Sequence, residues 1–155
     1  MKKYLSLLFI LLLVSACQQK EEEKVNEKIS SHGELICVYK ENRVNENTLY
    51  TSYYLFSFND QGILKGATDQ EIIDFTSDTT DELKSKYKKA LEESIKIYDD
   101  VKGVSVIKKF EDDKYSFIVK MDNNEMDEGV KSDYSLDMDR INTYKTFVAR
   151  GYTCE

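Results

Sequence analysis

Residues 48–59 read TLYTSYYLFSFN, and their alternation decides the fold. Tyr50, Ser52, Tyr54, Phe56 and Phe58 fall on one side of an extended chain, with Thr51, Tyr53, Leu55 and Ser57 on the other. Period two with this many aromatic residues is the pattern of a strand. Upstream, Glu34 to Glu41 repeats it, with Leu35, Cys37 and Tyr39 opposed to Ile36 and Val38, and the polar stretch Asn42 to Asn47 joins the two runs as a turn. Downstream, Asn59-Asp60-Gln61-Gly62 is a second turn, in which Gly62 takes positive φ at no steric cost. Ile63 to Phe75 then returns as a third strand, against which Gly66 and the charged residues weigh.

From Thr79 to Tyr98 the period changes. Leu83, Tyr87, Leu91 and Ile95 step by four, and lysines and glutamates cover the remaining positions, which predicts an amphipathic helix. Thr79 with Glu82 fits a capping box, while Asp99 and Asp100 oppose the helix dipole and predict a frayed last turn. Val104 to Phe110 pairs with Tyr115 to Met121 across the turn Glu111-Asp112-Asp113-Lys114, and the acidic segment Asp122 to Lys131 reads as loop. A second helix is expected from Leu136 to Ala149, capped by Ser135, with Asp137 and Asp139 in its first turn. Its inward residues are Met138, Ile141, Tyr144, Phe147 and Val148, and Gly151 ends it. The fold class is therefore α+β: an antiparallel sheet of about five strands with two amphipathic helices packed on one face, in the order β-β-β-α-β-β-α.

The amino-terminal end sets an address. Met1, Lys2 and Lys3 form a short positive segment, and Tyr4 to Val14 is almost unbroken apolar sequence. As a helix this core spans roughly 16 Å, about half of the bilayer hydrocarbon, which is too short for a permanent span. Val14-Ser15-Ala16-Cys17 closes it. That tetrapeptide resembles the lipobox of bacterial lipoproteins. The resemblance implies a diacylglyceryl group, with palmitate-like chains, on the Cys17 thiol and cleavage between Ala16 and Cys17. Two acyl chains anchor a protein where one does so only marginally. Residues 1–16 are thus read as signal peptide, 17–33 as lipidated cysteine and charged tether, and 34–155 as one globular domain. Residues 18–33 hold only Val25 and Ile29 as aliphatics, too little apolar surface to offset ordering, and as a flexible coil they reach roughly 20 to 25 Å.

The whole chain carries a formal charge of −7, and removing Lys2 and Lys3 leaves 20 Lys and Arg against 29 Asp and Glu, a net −9. Such a charge disfavours nucleic acid and is repelled by anionic lipid heads. With Cys17 consumed by lipid, Cys37 and Cys154 remain, and an oxidising compartment makes them a candidate disulfide; two free thiols are the alternative. The bridge would close a separation of 117 residues and, by chain entropy, stabilise the fold by about 4 to 5 kcal/mol.

The layout further resembles small bacterial lipoproteins of the YehR-like type, on the stretches Val14-Ser15-Ala16-Cys17, Lys102-Gly103-Val104 and Gly151-Tyr152-Thr153-Cys154. That resemblance implies a fold and a location and carries no activity with it.

Signatures of catalysis are missing from the sequence: no glycine-rich phosphate loop, no GxSxG and no HExxH. His32, the one imidazole, falls in the tether, so neither a nucleophile–histidine pair nor a metal set with Cys37 and Cys154 is expected. Asp122, Asn124 and Asp127 hint at a calcium loop, but Asp127 stands where the sharp turn needs glycine. The eleven tyrosines and seven phenylalanines mostly follow strand or helix spacing, as a core does, while the neighbours of Tyr39, Tyr53 and Tyr134 do not fix whether these face the core or the solvent. No enzyme, cofactor or metal is expected. The expectation is a membrane-anchored extracytoplasmic lipoprotein, held through lipid on Cys17, that serves as a noncatalytic binding or adaptor module. A structural envelope-maintenance protein and a carboxylate-based hydrolase are the alternatives, and the ligand-binding residues and any protein partner do not follow from sequence.

Overall fold

A computed structural model describes residues 32–133 and 138–155. Strands β1 (Gly33–Arg43), β2 (Thr48–Phe58) and β3 (Leu64–Phe75) form an antiparallel meander. Helix α1 (Asp81–Ser94) and a 3-10 turn (Ile95–Tyr98) lead to the hairpin of β4 (Val104–Phe110) and β5 (Lys114–Asp122). Helix α2 (Glu128–Asp133), helix α3 (Arg140–Ala149) and the short strand β6 (Thr153–Cys154) complete the described chain. Among the described residues there are six strands and three helices, one strand and one helix more than the sequence predicts. The sheet order is β4-β5-β3-β2-β1-β6, antiparallel throughout.

Alternation along each strand separates two faces. Leu35 and Cys37, Phe56 and Phe58, Ala67 and Ile73, and Phe117 and Val119 are buried together under the helices. Leu91 and Ile95 enter this core from the α1 side. Phe147 of α3 meets Tyr54 and Phe56 edge-on, at ring separations of 4.7 and 4.9 Å. Where β2 passes to β3 the register shifts, and Gly66 lies against β5 so closely that a Cβ there would sit 2.6 Å from the Met121 carbonyl oxygen. Only glycine admits that approach.

Helix boundaries differ from expectation for local reasons. The cap of α1 is Thr80, whose hydroxyl accepts from the Leu83 N–H at 3.3 Å. Thr79 is occupied elsewhere: its hydroxyl donates to the Asn47 carbonyl at 2.7 Å and accepts from the Thr76 N–H at 3.1 Å, tying the β1–β2 turn to the helix entrance. The segment expected as loop contains α2, where the Lys131 N–H donates to the Asp127 carbonyl and Lys131 pairs with Glu128. In α3, Asp139 is the cap and accepts from the Asn142 N–H at 2.8 Å, so the described helix starts at Arg140. Ser135, Leu136 and Asp137 lie outside the described residues. The inward side of α3 is correspondingly rotated: Arg140, Thr143 and Phe147 are buried, whereas Val148 is 42 % exposed.

After α3 the chain turns at Gly151, with φ of +91°, and the Tyr152 N–H returns to the Phe147 carbonyl at 3.1 Å. This aims β6 at the edge of β1. Ile36 and Glu155 exchange two hydrogen bonds of 2.9 Å, which makes the neighbouring pair Cys37 and Cys154 a non-hydrogen-bonded position, where facing residues come closest. Their Cα atoms are 4.1 Å apart and the two cysteines form a disulfide.

Candidate functional site

On β3 the covered face reads Ala67, Asp69, Glu71, Ile73, Phe75, so two carboxyl groups point into a core. β2 places Tyr54 opposite Asp69 and Ser52 opposite Glu71, while β5 flanks them with Val119 and Phe117. The Tyr54 hydroxyl donates to Asp69 Oδ2 at 3.0 Å; Asp69 Oδ1 has no partner, and the residue is only 4 % exposed. Burial, reinforced by the neighbouring Glu71 charge, pushes the Asp69 carboxyl up to about 7 despite the Tyr54 hydrogen bond. Burial also raises Glu71, against a hydrogen bond from Tyr50 and the charge of Arg43. Tyr54 is raised in turn, by burial and then by the Asp69 charge. Beside them Ser52 Oγ and the Tyr152 hydroxyl are 3.0 Å apart, and the Tyr152 ring packs on Tyr54, Tyr39 and Phe147.

Arg43 links this cluster to the surface. Its guanidinium lies 4.6 Å from the centre of the Tyr50 ring, donates from Nε to Glu41 Oε2 at 2.8 Å, and donates from Nη1 to the Tyr87 hydroxyl at 3.1 Å. The Tyr87 hydroxyl in turn donates to Glu46. Between the β1–β2 turn and α1 these groups line a groove of about 650 Å³, whose apolar wall includes Val44 and Leu83. Between the groove and the sequestered Asp69 stand Arg43, which lies over the Tyr50 ring, Tyr50, which hydrogen-bonds Glu71, and Glu71, whose charge acts on Asp69. Asp69 can hold or release a proton near neutrality, but at its exposure a substrate does not reach it in this conformation. The groove is open and presents both signs of charge beside an aromatic hydroxyl.

Of the residues singled out by sequence, Cys37 and Cys154 meet in the disulfide, and Cys17 lies outside the described residues. His32 is exposed at the first described position. Among the described residues no cluster of three or more metal-binding side chains forms. The Asp122 carboxylate instead accepts from the N–H and the side-chain amide of Asn124, at 2.9 and 3.0 Å. Tyr39 packs on Tyr152, and Tyr53 lies on the open face opposite Val38. Tyr134 lies outside the described residues. Asp69, Glu71, Arg43 and Tyr87 went unmarked as site residues in the sequence. The signal that could have found them was phase: Asp69 and Glu71 share parity with Ala67, Ile73 and Phe75, so acids fall on the apolar side of their own strand.

Residues 1–18 match the family described as the prokaryotic membrane lipoprotein lipid attachment site. The match supports a bacterial lipobox lipoprotein held at a membrane. No described helix is long and apolar enough to cross one. No curated protein and no solved structure matches the chain, so the likeness to the YehR-like lipoproteins is not supported.

Proposed function

We propose that this lipoprotein is a noncatalytic binding or adaptor module, anchored on the extracytoplasmic face of a bacterial membrane by diacylglyceryl-Cys17, and that its ligand enters the groove beside Arg43. The observation that carries the reading is the groove itself. Its volume of about 650 Å³ falls within the roughly 300 to 1,000 Å³ typical of small-molecule sites, and a few polar groups converge on an apolar wall. The anchor rests on the attachment-site match at residues 1–18 and on the cysteine that closes the apolar core. Asp69 and Glu71 favour a second reading, a carboxylate-based hydrolase. Against it, Asp69 is sequestered and one of its oxygens already accepts from Tyr54.

Two measurements test the proposal separately. A Cys17→Ala precursor is expected to leave the detergent phase and remain in the aqueous one; retention in detergent refutes the anchor. A fragment screen followed by amide NMR shifts is expected to return hits that move Arg43, Glu46 and Tyr87 together. Hits that cluster elsewhere, or are unaffected by Arg43→Ala, refute the groove.

A further inference from the structure

The face of the sheet turned away from the helices is unusual for a solvated one. An antiparallel sheet with one covered face ordinarily alternates apolar inside and polar outside. Here Ile36 stands opposite Leu55, Val38 opposite Tyr53, and Ile118 opposite Ile107. Ile72 joins them on β3, and Ile107 is 51 % exposed.

The charges on this face are sorted as well. Within β1, β2, β3, β5 and β4 the three central rows contain Lys40, Lys109 and Lys120 and no carboxylate, and the β6 edge adds one acidic residue, Glu155, beside Ile36. The chain as a whole has 29 acidic against 22 basic residues, so the open face has the opposite sign to its molecule. Lys109 pairs with Glu111 at 2.5 Å, but both are exposed, and such a pair is weak and exchangeable. Acidic side chains stand at the margins: Glu155 follows β6 at the sheet edge, opposite Ile36, Glu34 and Asp122 lie on the next row, and Asp74, paired to Lys114, lies beyond the last.

We propose that this face docks flat on an anionic lipid bilayer, the membrane that holds the chain through Cys17; the inference rests on the anchor reading given above. Aliphatic side chains enter the headgroup layer and lysines meet phosphate, the same pairing of apolar area and cationic charge that holds peripheral proteins at interfaces. The 16 residues from Cys17 to His32 span at most about 55 Å, so the anchor keeps the domain within that distance of the surface. That chain enters β1 at Gly33, three residues before Ile36 and beyond the row of Glu34 and Asp122, which leaves the basic-apolar face free to turn towards the lipid. The net charge of −9 left after removal of Lys2 and Lys3 repels such a surface only as an average over the molecule; at a Debye length of about 8 Å each face is felt nearly by itself. Docking leaves the groove beside Arg43, on the helix side of the sheet, facing outward.

The test uses the full-length acylated chain on vesicles of equal parts phosphatidylglycerol and phosphatidylcholine, and on phosphatidylcholine alone. Lysine acetylation is followed by mass spectrometry, with Lys89 on α1 as internal reference. Expected on the anionic vesicles is a drop of about threefold or more at Lys40 and Lys120 relative to Lys89, lost on phosphatidylcholine and in about 0.5 M salt, where charge is screened. Lys40→Glu with Lys120→Glu, and separately Ile107→Asp, are exposed changes whose melting temperature verifies the fold. Both are expected to restore Lys109 acetylation to the rate seen on phosphatidylcholine. Equal rates at Lys120 and Lys89 on anionic vesicles that float with the protein overturn the docking and leave the anchor intact. Protection seen in cell membranes but not on either vesicle overturns it too, and assigns the face to a protein. A chain that does not float with the vesicles refutes the anchor, and the docking falls with it.

Discussion

Replacing Asp69 by asparagine removes a charge that the fold strains to accommodate, and the consequence has a definite dependence on pH. In the native state the carboxyl is raised from 3.8 to about 7. Between those values the native protein binds more protons than the unfolded chain, so stability is highest at the acid end of the window, falls as pH rises through it, and levels off above about 7. A gap of about 3 pKa units corresponds to about 4 kcal/mol of penalty at pH 8. The substituted side chain would still accept from Tyr54, but its amide would bring a buried N–H group with no assured partner, at about 1 to 3 kcal/mol. The variant is therefore expected to be more stable than wild type by about 1 to 3 kcal/mol at pH 8, a rise of several degrees in melting temperature. At pH 5 the ordering narrows or inverts, because wild-type Asp69 is then mostly protonated. Calorimetry of the oxidised protein from pH 4.5 to 8.5 reads both. A variant-minus-wild-type difference that is constant across the range, or a wild type that is the more stable at pH 8, refutes the placement of an isolated carboxyl in the core.

Tyr54→Phe withdraws the one donor to Asp69 and is expected to destabilise by about 1 to 3 kcal/mol at pH 8 and by much less at pH 5, measured by urea titration at the two pH values. Gly66→Ala forces a Cβ against the Met121 carbonyl; a loss of at least about 2 kcal/mol is expected, and an unchanged midpoint would mean that β3 and β5 separate more easily than their register suggests. Reducing the Cys37–Cys154 bridge is expected to lower stability by about 4 kcal/mol while far-ultraviolet circular dichroism still reports a folded sheet, with thiol counting before and after as the control. Thr80→Ala, which removes only a helix cap, is expected to cost about 1 kcal/mol, and Thr79→Val more, since that hydroxyl joins two chain segments.

What the sequence makes legible is whatever repeats over many residues. The alternations of β2 and β5 and the four-residue step from Leu83 to Ile95 each extend through enough positions to outweigh exceptions. β6 does not, because two residues carry no period and exist as a strand only through Cys37 and Val38, more than a hundred positions earlier. The register of α3 is hidden for a related reason. Met138, Ile141, Tyr144 and Val148 form a plausible stripe, but Asp139 starts the helix later and Arg140 is drawn inward by donating to the Glu34 carbonyl at 2.6 Å. At the candidate site, the two carboxyls of β3 weigh against a strand when scored as residues and become informative only once the strand is accepted. Arg43 and Tyr87 are joined by the fold across 44 positions, a distance over which local patterning says nothing.

The bridge between β1 and β6 also orders events in time. A chain that emerges amino end first exposes Cys37 117 residues before its partner, an interval of roughly 6 to 25 s at synthesis rates of about 5 to 20 residues per second. During that wait Cys37 has no Cys154 to bond, and on the extracytoplasmic reading proposed above its surroundings are oxidising. The meander of β1, β2 and β3 is contiguous in sequence, pairs its three strands with one another, and contributes Phe56, Phe58 and Leu64 to the same core as Cys37. Hairpins close in microseconds, so the thiol can be partly withdrawn from wrong partners long before Cys154 arrives at the open edge of β1. The order of the strands in the chain works as a timer that holds one half of the bond in reserve until the other half is delivered.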